Sequence, residues 1–314
     1  MKRLLYPGIL FLFLLFAVAS PGFAAIMEVH VSIPPQKWLS DKLGGDKIIT
    51  HVLVTKGRDP HTYEPTPKQI SALAGSSIYF TIGMEFEEQI VHKLAETVAG
   101  LRFVDSTRGI TRIAMTGEEH HGEHQEGHGV EHEEQGVEEA HHHDGADPHV
   151  WLSPLNLQLM AQVMAEEMAA ADPANKAVYE QNLAQLHAEL DQLNNFIHKE
   201  LDPFKGSSFY IFHPSFGYFA KEYNLVQQAV EVGGKSPSPR QLSALIEKAR
   251  KEGVKIIFVQ PQFDTKSVES VARAIGGSVE PLDNLAEDVA GNLKIMTVKI
   301  KTALSGKKEL GNKN

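Results

Sequence analysis

A single apolar stripe runs through the middle of this 314-residue chain. Between Pro173 and Leu201, apolar side chains fall at Tyr179, Leu183, Leu186, Leu190, Leu193, Ile197 and Leu201. Steps of three and four keep these positions on one face of an α-helix. Asp172-Pro173 supplies a start signal, and Pro203 with Gly206 a stop. A helix of ~30 residues is ~45 Å long, longer than most single domains need. The stripe therefore predicts a rigid connector, residues 173–203, packed along two halves of the chain. One arm of a helical hairpin would carry the same stripe.

Short β-rich runs alternate with helical patterns on both sides of it. Before the stripe, Glu28–Ile33, Ile48–Val54, Ile78–Ile82 and Arg102–Val104 read as strands, and Gln36–Leu43, Lys68–Leu73, Glu87–Val98 and Leu155–Ala170 as helices. After it, Ser208–Phe212, Val226–Val230, Lys255–Val259 and Ser278–Glu280 read as strands. Pro214–Tyr223, Pro239–Glu252, Lys266–Ile275 and Glu287–Leu304 read as helices. Such alternation predicts βαβ units and a mainly parallel sheet in each half. The expected fold class is α/β: two (β/α) lobes, residues 25–172 and 204–314, joined by the connector. Ligands of open α/β sheets bind at the carboxyl ends of strands, so a site is expected in the cleft between the lobes.

The N-terminus sets an expected compartment. Lys2 and Arg3 precede an apolar run from Ile9 to Val18, and Gly22 and Ala24 then present a small-x-small ending. This order describes a secretory signal, residues 1–24, cut after Ala24, and the run is short for a bilayer span. The chain has no cysteine, which excludes disulfides, thiolate zinc sites and a lipid anchor on an N-terminal Cys. The expected mature protein is soluble and periplasmic. The formal net charge is −10, and loss of Lys2 and Arg3 makes it −12. Eleven acidic side chains and no Lys or Arg lie between residues 117 and 147, so the rest of the mature chain is nearly neutral. Nothing resembles a basic nucleic-acid footprint.

That acidic tract is also crowded with histidine: His120, His121, His124, His128, His132, His141, His142 and His143. With almost no apolar residues and several Gly, residues 117–146 are expected to form a mobile loop with many weak metal sites. The tripeptide Asp-Pro-His flanks the tract, at Asp59-Pro60-His61 and Asp147-Pro148-His149. His213 follows a predicted strand and precedes Pro214. Proline beside each histidine restricts the backbone that presents it. Asp283, just past the last predicted strand, is a fourth candidate. Three imidazoles and one carboxylate suit tetrahedral Zn(II); Mn(II) prefers oxygen donors. His30 and His51 in strands, and His92, His187 and His198 on helices, read as ordinary structural histidines, the last two on the solvated face of the connector. Glu64 is a rival ligand.

The motifs Asp59–Pro67 (DPHTYEPTP), Asp147–Pro154 (DPHVWLSP), Phe212–Ala220 (FHPSFGYFA), Ser236–Leu242 (SPSPRQL) and Phe258–Phe263 (FVQPQF) together carry a specific likeness. The chain resembles the cluster A-I (cluster 9) substrate-binding proteins of ABC importers, most closely the zinc-type ZnuA family, over essentially all of its mature length. The resemblance implies two lobes on one long helix, with metal held between them by His61 and His149 from the first lobe and His213 and Asp283 from the second. Manganese-type relatives have a carboxylate where this chain has His213, which favours zinc. Some zinc-type members have Glu before the first histidine, where this chain has Pro60. The implied function is capture of Zn(II), as transported ligand, by a monomer that delivers it to an ABC transporter permease in the inner membrane. Three other readings stand beside it: an importer component for Mn(II) or Fe(II), a periplasmic zinc buffer, and a secreted zinc hydrolase. The hydrolase would need a general base, and the chain has no His-Glu-x-x-His helix and no candidate base except Glu64.

Overall fold

The computed structural model describes residues 26–115, 145–231, 235–263 and 265–311. The expected signal segment and the eight histidines of the acidic tract lie outside the described residues.

Four strands build the first half: β1 (Met27–Val31), β2 (Ile48–Val52), β3 (Ile78–Thr81) and β4 (Arg102–Asp105), in the order β2-β1-β3-β4. The helices α1 (Pro34–Gly44), α2 (Pro67–Leu73) and α3 (Glu85–Ala95) alternate with them, and α4 (Pro154–Ala171) follows. The connector is α5 (Lys176–Leu201). The second half repeats the plan with β5 (Ser208–Ile211), β6 (Val226–Ala229), β7 (Ile256–Val259) and β8 (Ser278–Pro281), in the order β6-β5-β7-β8. Its helices are α6 (Gly217–Glu222), α7 (Pro239–Lys251), α8 (Thr265–Ala274) and α9 (Val289–Gly311). Every strand pair in both sheets is parallel.

Proline opens α1, α2, α4 and α7, where a missing N–H costs nothing and the fixed φ suits a helix start. Thr66 and Ser238 each cap their helix reciprocally with the Gln three residues on. The connector packs α1 and α4 on one side and α9 on the other. Its stripe is the reason: Tyr179, Leu186, Leu190, Leu193, Ile197 and Leu201 are buried, with Leu183 half-buried. Each fully buried leucine-sized side chain contributes roughly 1.5–3 kcal/mol of transfer free energy. One apolar core thus runs from the first sheet through α4 and α5 to the α9 side of the second sheet. A smaller core lies on that sheet's other face, against α7 and α8.

Three elements differ from expectation. The connector is a 26-residue helix preceded by a 3-10 turn at Pro173–Asn175, ~39 Å long at 1.5 Å per residue. Asp172 does not cap it: its carboxylate accepts from Asn175 Nδ2 (2.7 Å) and the Tyr179 hydroxyl (2.8 Å), which tightens the turn. Helix α6 starts at Gly217 rather than Pro214, because Gln260 holds the preceding turn through His213 and Ser215. His187 is half-buried rather than solvated, its Nε2 3.3 Å from the Gln158 carbonyl of α4.

Candidate metal centre

Each sequence-nominated histidine stands just beyond a strand or at the end of a loop returning from one. After β2, the Leu53 and Val54 amides still bond to the first sheet, at 3.0 and 2.9 Å from the Val31 and Ser32 carbonyls. The Tyr63 hydroxyl (2.6 Å) and Gln69 Nε2 (2.8 Å) both donate to the Leu53 carbonyl and close the loop that carries His61. Within it, the Asp59 carboxylate accepts from the His61 amide (3.1 Å) and starts the 3-10 turn Pro60–Thr62, as Asx residues do at turns.

The second Asp-Pro-His folds on the same local rule. The Asp147 carboxylate accepts from the His149 amide at 2.9 Å, and here also from the ring Nδ1 at 2.7 Å. A 3-10 turn, Val150–Leu152, then leads to Ser153, whose hydroxyl caps α4 through the Asn156 amide (3.1 Å). His213 follows β5. Gln260 fixes its backbone, accepting from the His213 amide (3.3 Å) and donating to its carbonyl (2.7 Å). The His213 ring donates Nδ1–H to Glu231 Oε2 at 2.8 Å.

The three rings converge, with centroids 5.0 to 5.2 Å apart in all pairs. One nitrogen of each lies within 4.8 Å of the others, the only such group of three among the described residues. A carboxylate on Nδ1 sets the tautomer of His149 and His213, leaving the Nε2 lone pair free. His213 Nε2 is buried with no hydrogen-bond partner among the described residues, a cost of about 1–3 kcal/mol that a cation would offset. His61 Nε2 and His149 Nε2 are 3.2 Å apart. Nitrogens on a tetrahedral Zn(II) with 2.0–2.1 Å bonds stand about 3.3–3.4 Å apart. Trp151 lies against the His149 ring at 5.2 Å and Phe263 against the His213 ring at 5.1 Å, so aromatic walls hold both orientations.

Electrostatics favour neutral imidazoles. Burial, and then the neighbouring His149 and His213, push His61 down to about 3. Burial also lowers His149, against the opposing pull of Asp147. A metal ligand must be deprotonated, which burial favours for His61 and His149.

Asp283 stands outside the three-histidine group. Its Oδ1 accepts from the Leu285 amide (2.8 Å), and its carbonyl accepts from Asn292 Nδ2 (2.7 Å). Glu64 is exposed and is not in the group either. The orienting partners Asp147 and Glu231 were not nominated from sequence. For Asp147 a signal existed, since Asp two residues before His can reach the ring. For Glu231, 18 residues from His213, there was none.

The ZnuA family model, described as zinc-uptake complex component A, periplasmic, matches residues 29–303. The high-affinity zinc uptake system protein ZnuA of Bacillus subtilis is 29% identical over 265 residues, 82% of this chain and 78% of that protein. A crystal structure of ZnuA superposes with a TM-score of 0.77 at 40% identity, covering 88% of this chain and 99% of that one. A ZnuA deletion mutant with zinc bound superposes at 0.76, also 40% identical, covering 88% and 97%. The chain belongs to the ZnuA family of periplasmic zinc-uptake components.

Proposed function

We infer that this protein binds Zn(II) in the periplasm and delivers it to an ABC-type permease for zinc uptake. The observation that carries this reading is His213 Nε2, a buried lone pair without a partner, facing two further imidazole nitrogens. His61, His149 and His213 are the ligands. Water completes the tetrahedron from the side of half-exposed His61, because the Asp283 carboxylate is engaged by the Leu285 amide. Asp147 and Glu231 orient two of the rings and raise their basicity. The cargo is held by side chains of both lobes, taken as residues 25–172 and 204–314 with the connector at 173–203. Loading thus changes the seating of one lobe on the other, and a permease can distinguish two states only through such a difference. The mature chain, cut after Ala24, acts as a monomer and not as an enzyme: the carboxylates that touch the imidazoles, Asp147 and Glu231, are each bonded to a ring nitrogen and serve to orient it. The histidines between His120 and His143 are accessory.

The test is deletion of residues 117–144, which spares the Ala114–Ala146 bridge, followed by titration of the metal-free protein with Zn(II) and Mn(II) against a competing chelator. One tight Zn(II) equivalent with much weaker Mn(II) is expected. Loss of tight Zn(II) binding would move the cargo site to the histidine tract and make the protein a buffer. A preference for Mn(II) would change the cargo.

A further inference from the structure

His149 is oriented by Asp147 of the first half, yet part of what braces Asp147 comes from the second half. The chain enters and leaves the acidic tract through a short antiparallel stem. The Met115 amide donates to the Gly145 carbonyl (3.1 Å), Ala114 bridges Ala146, and the Asp147 amide donates to the Ile113 carbonyl (2.8 Å). The next ladder bond would run from the Ile113 amide to the Asp147 carbonyl. A tyrosine hydroxyl from α6 stands there instead. Tyr218 accepts from the Ile113 amide at 3.3 Å and donates to the Asp147 carbonyl at 3.0 Å. It is buried, at 5% exposure.

The residue before it makes the approach possible. A Cβ on Gly217 would lie 2.5 Å from Asp147 Oδ2 and 3.2 Å from Ile113 Cδ1, so only glycine lets α6 sit this close. The Asp147 side chain, fully buried, is therefore walled by the second half on one oxygen and spends the other on His149. Its Oδ2 has no hydrogen-bond partner among the described residues, so the close approach of Gly217, beside the two His149 bonds on Oδ1, limits the carboxylate's rotation.

We propose that Tyr218 and Gly217 are positioning residues for the metal centre: they hold Asp147, and through it the His149 ring, from the opposite half of the molecule. The assignment rests on the zinc reading above. It gives the protein a direct link between the seating of the two halves and the aim of one ligand. It also ties that ligand to the stem of the histidine tract, since Ile113 and Asp147 share the Tyr218 hydroxyl.

The experiment compares full-length Y218F and G217A with the parent protein and with Y179F. Tyr179 is an equally buried tyrosine whose hydroxyl meets Asp172, far along the chain from the centre. Three quantities are read: Zn(II) affinity by chelator competition, the visible spectrum of the Co(II)-loaded protein, and the melting temperature without metal. Loss of an outer-shell partner lowers metal affinity by roughly 10–100-fold. Y218F is expected to weaken Zn(II) about tenfold and to shift the Co(II) bands, with G217A changing both in the same direction. Y179F is expected to lower the melting temperature while leaving affinity and spectrum as in the parent. If Y218F and G217A melt lower but keep the parent's Zn(II) affinity and Co(II) spectrum, both residues are merely structural and the proposal falls. A parent protein that takes up no tight Zn(II) would overturn the zinc reading itself, a separate result.

Discussion

The tripeptide Asp-Pro-His makes the same carboxylate-to-amide bond at both of its occurrences, yet the two aspartates hold different further atoms. Asp59 accepts from the His61 amide and the Thr62 hydroxyl. Asp147 accepts from the His149 amide and also from the His149 ring. The shared part is local, a carboxylate closing a turn two residues on. The unshared part follows burial. Asp59 is only partly buried, whereas the Asp147 side chain is fully buried with Gly217 close to its Oδ2, where a carboxylate needs a partner for its charge. One motif therefore yields a backbone turn in one place and a turn with an imidazole-orienting carboxylate in the other.

Replacing the two histidines tests this contrast most severely. His149→Ala would leave the buried Asp147 carboxylate with only the residue-149 amide as partner, and metal-free stability in urea should fall by about 1–3 kcal/mol. His61→Ala should cost about 1 kcal/mol or less, since Asp59 keeps its backbone partner. If about 12 kcal/mol of zinc binding is shared by four ligands, either variant should lose on the order of a hundredfold in affinity. Equal losses of stability would break the comparison.

Changing the aspartates sharpens it. Asp147→Asn should weaken Zn(II) roughly 10–100-fold by chelator competition, because the ring loses its carboxylate. Asp59→Asn should leave affinity within about twofold, since Asn serves the same turn. A third buried histidine without the tripeptide supplies a control. His30 Nδ1 meets the Ser76 hydroxyl at 2.6 Å, its ring stacks on His51 at 4.8 Å, and it belongs to no ligand group among the described residues. Burial, then His51, push it down to about 4, against the pull of Glu28. Its folded pKa thus lies below the unfolded value near 6.5. The folded state binds fewer protons, so His30's contribution is fully present above pH 6.5 and is lost as pH falls from there towards 4. Metal-free stability should drop by about 2 kcal/mol over that window. His30→Gln should flatten this limb; an unchanged limb would assign it to other groups. Asp59→Ala removes a turn cap and should cost about 1 kcal/mol of stability, read as a shift of the urea midpoint.

Much of the frame was legible because local rules write it. The Tyr179–Leu201 stripe named the connector, since period and length need no partner to be recognised. Strand ends beside proline named His61, His149 and His213. The start of α6 was misread because Pro214 looks like a helix opening, while Gln260, 47 residues from His213, holds the turn open. Asp283 was a candidate from its place after a strand; in the fold it stands outside the three-histidine group, with Oδ1 on the Leu285 amide. Glu231 carried no mark at all.

The alternation of strands and helices, the amphipathic connector, the two Asx turns and the supply of imidazole nitrogens are written in the order of residues alone. These depend on dihedral preferences and periodicities within a few residues. Packing brings ring nitrogens 88 residues apart to 3.2 Å, sets Glu231 on His213, and sets a tyrosine from the second half on the Asp147 carbonyl. Those facts depend on which groups are desolvated together, and desolvation belongs to the packed molecule, not to any stretch of its chain.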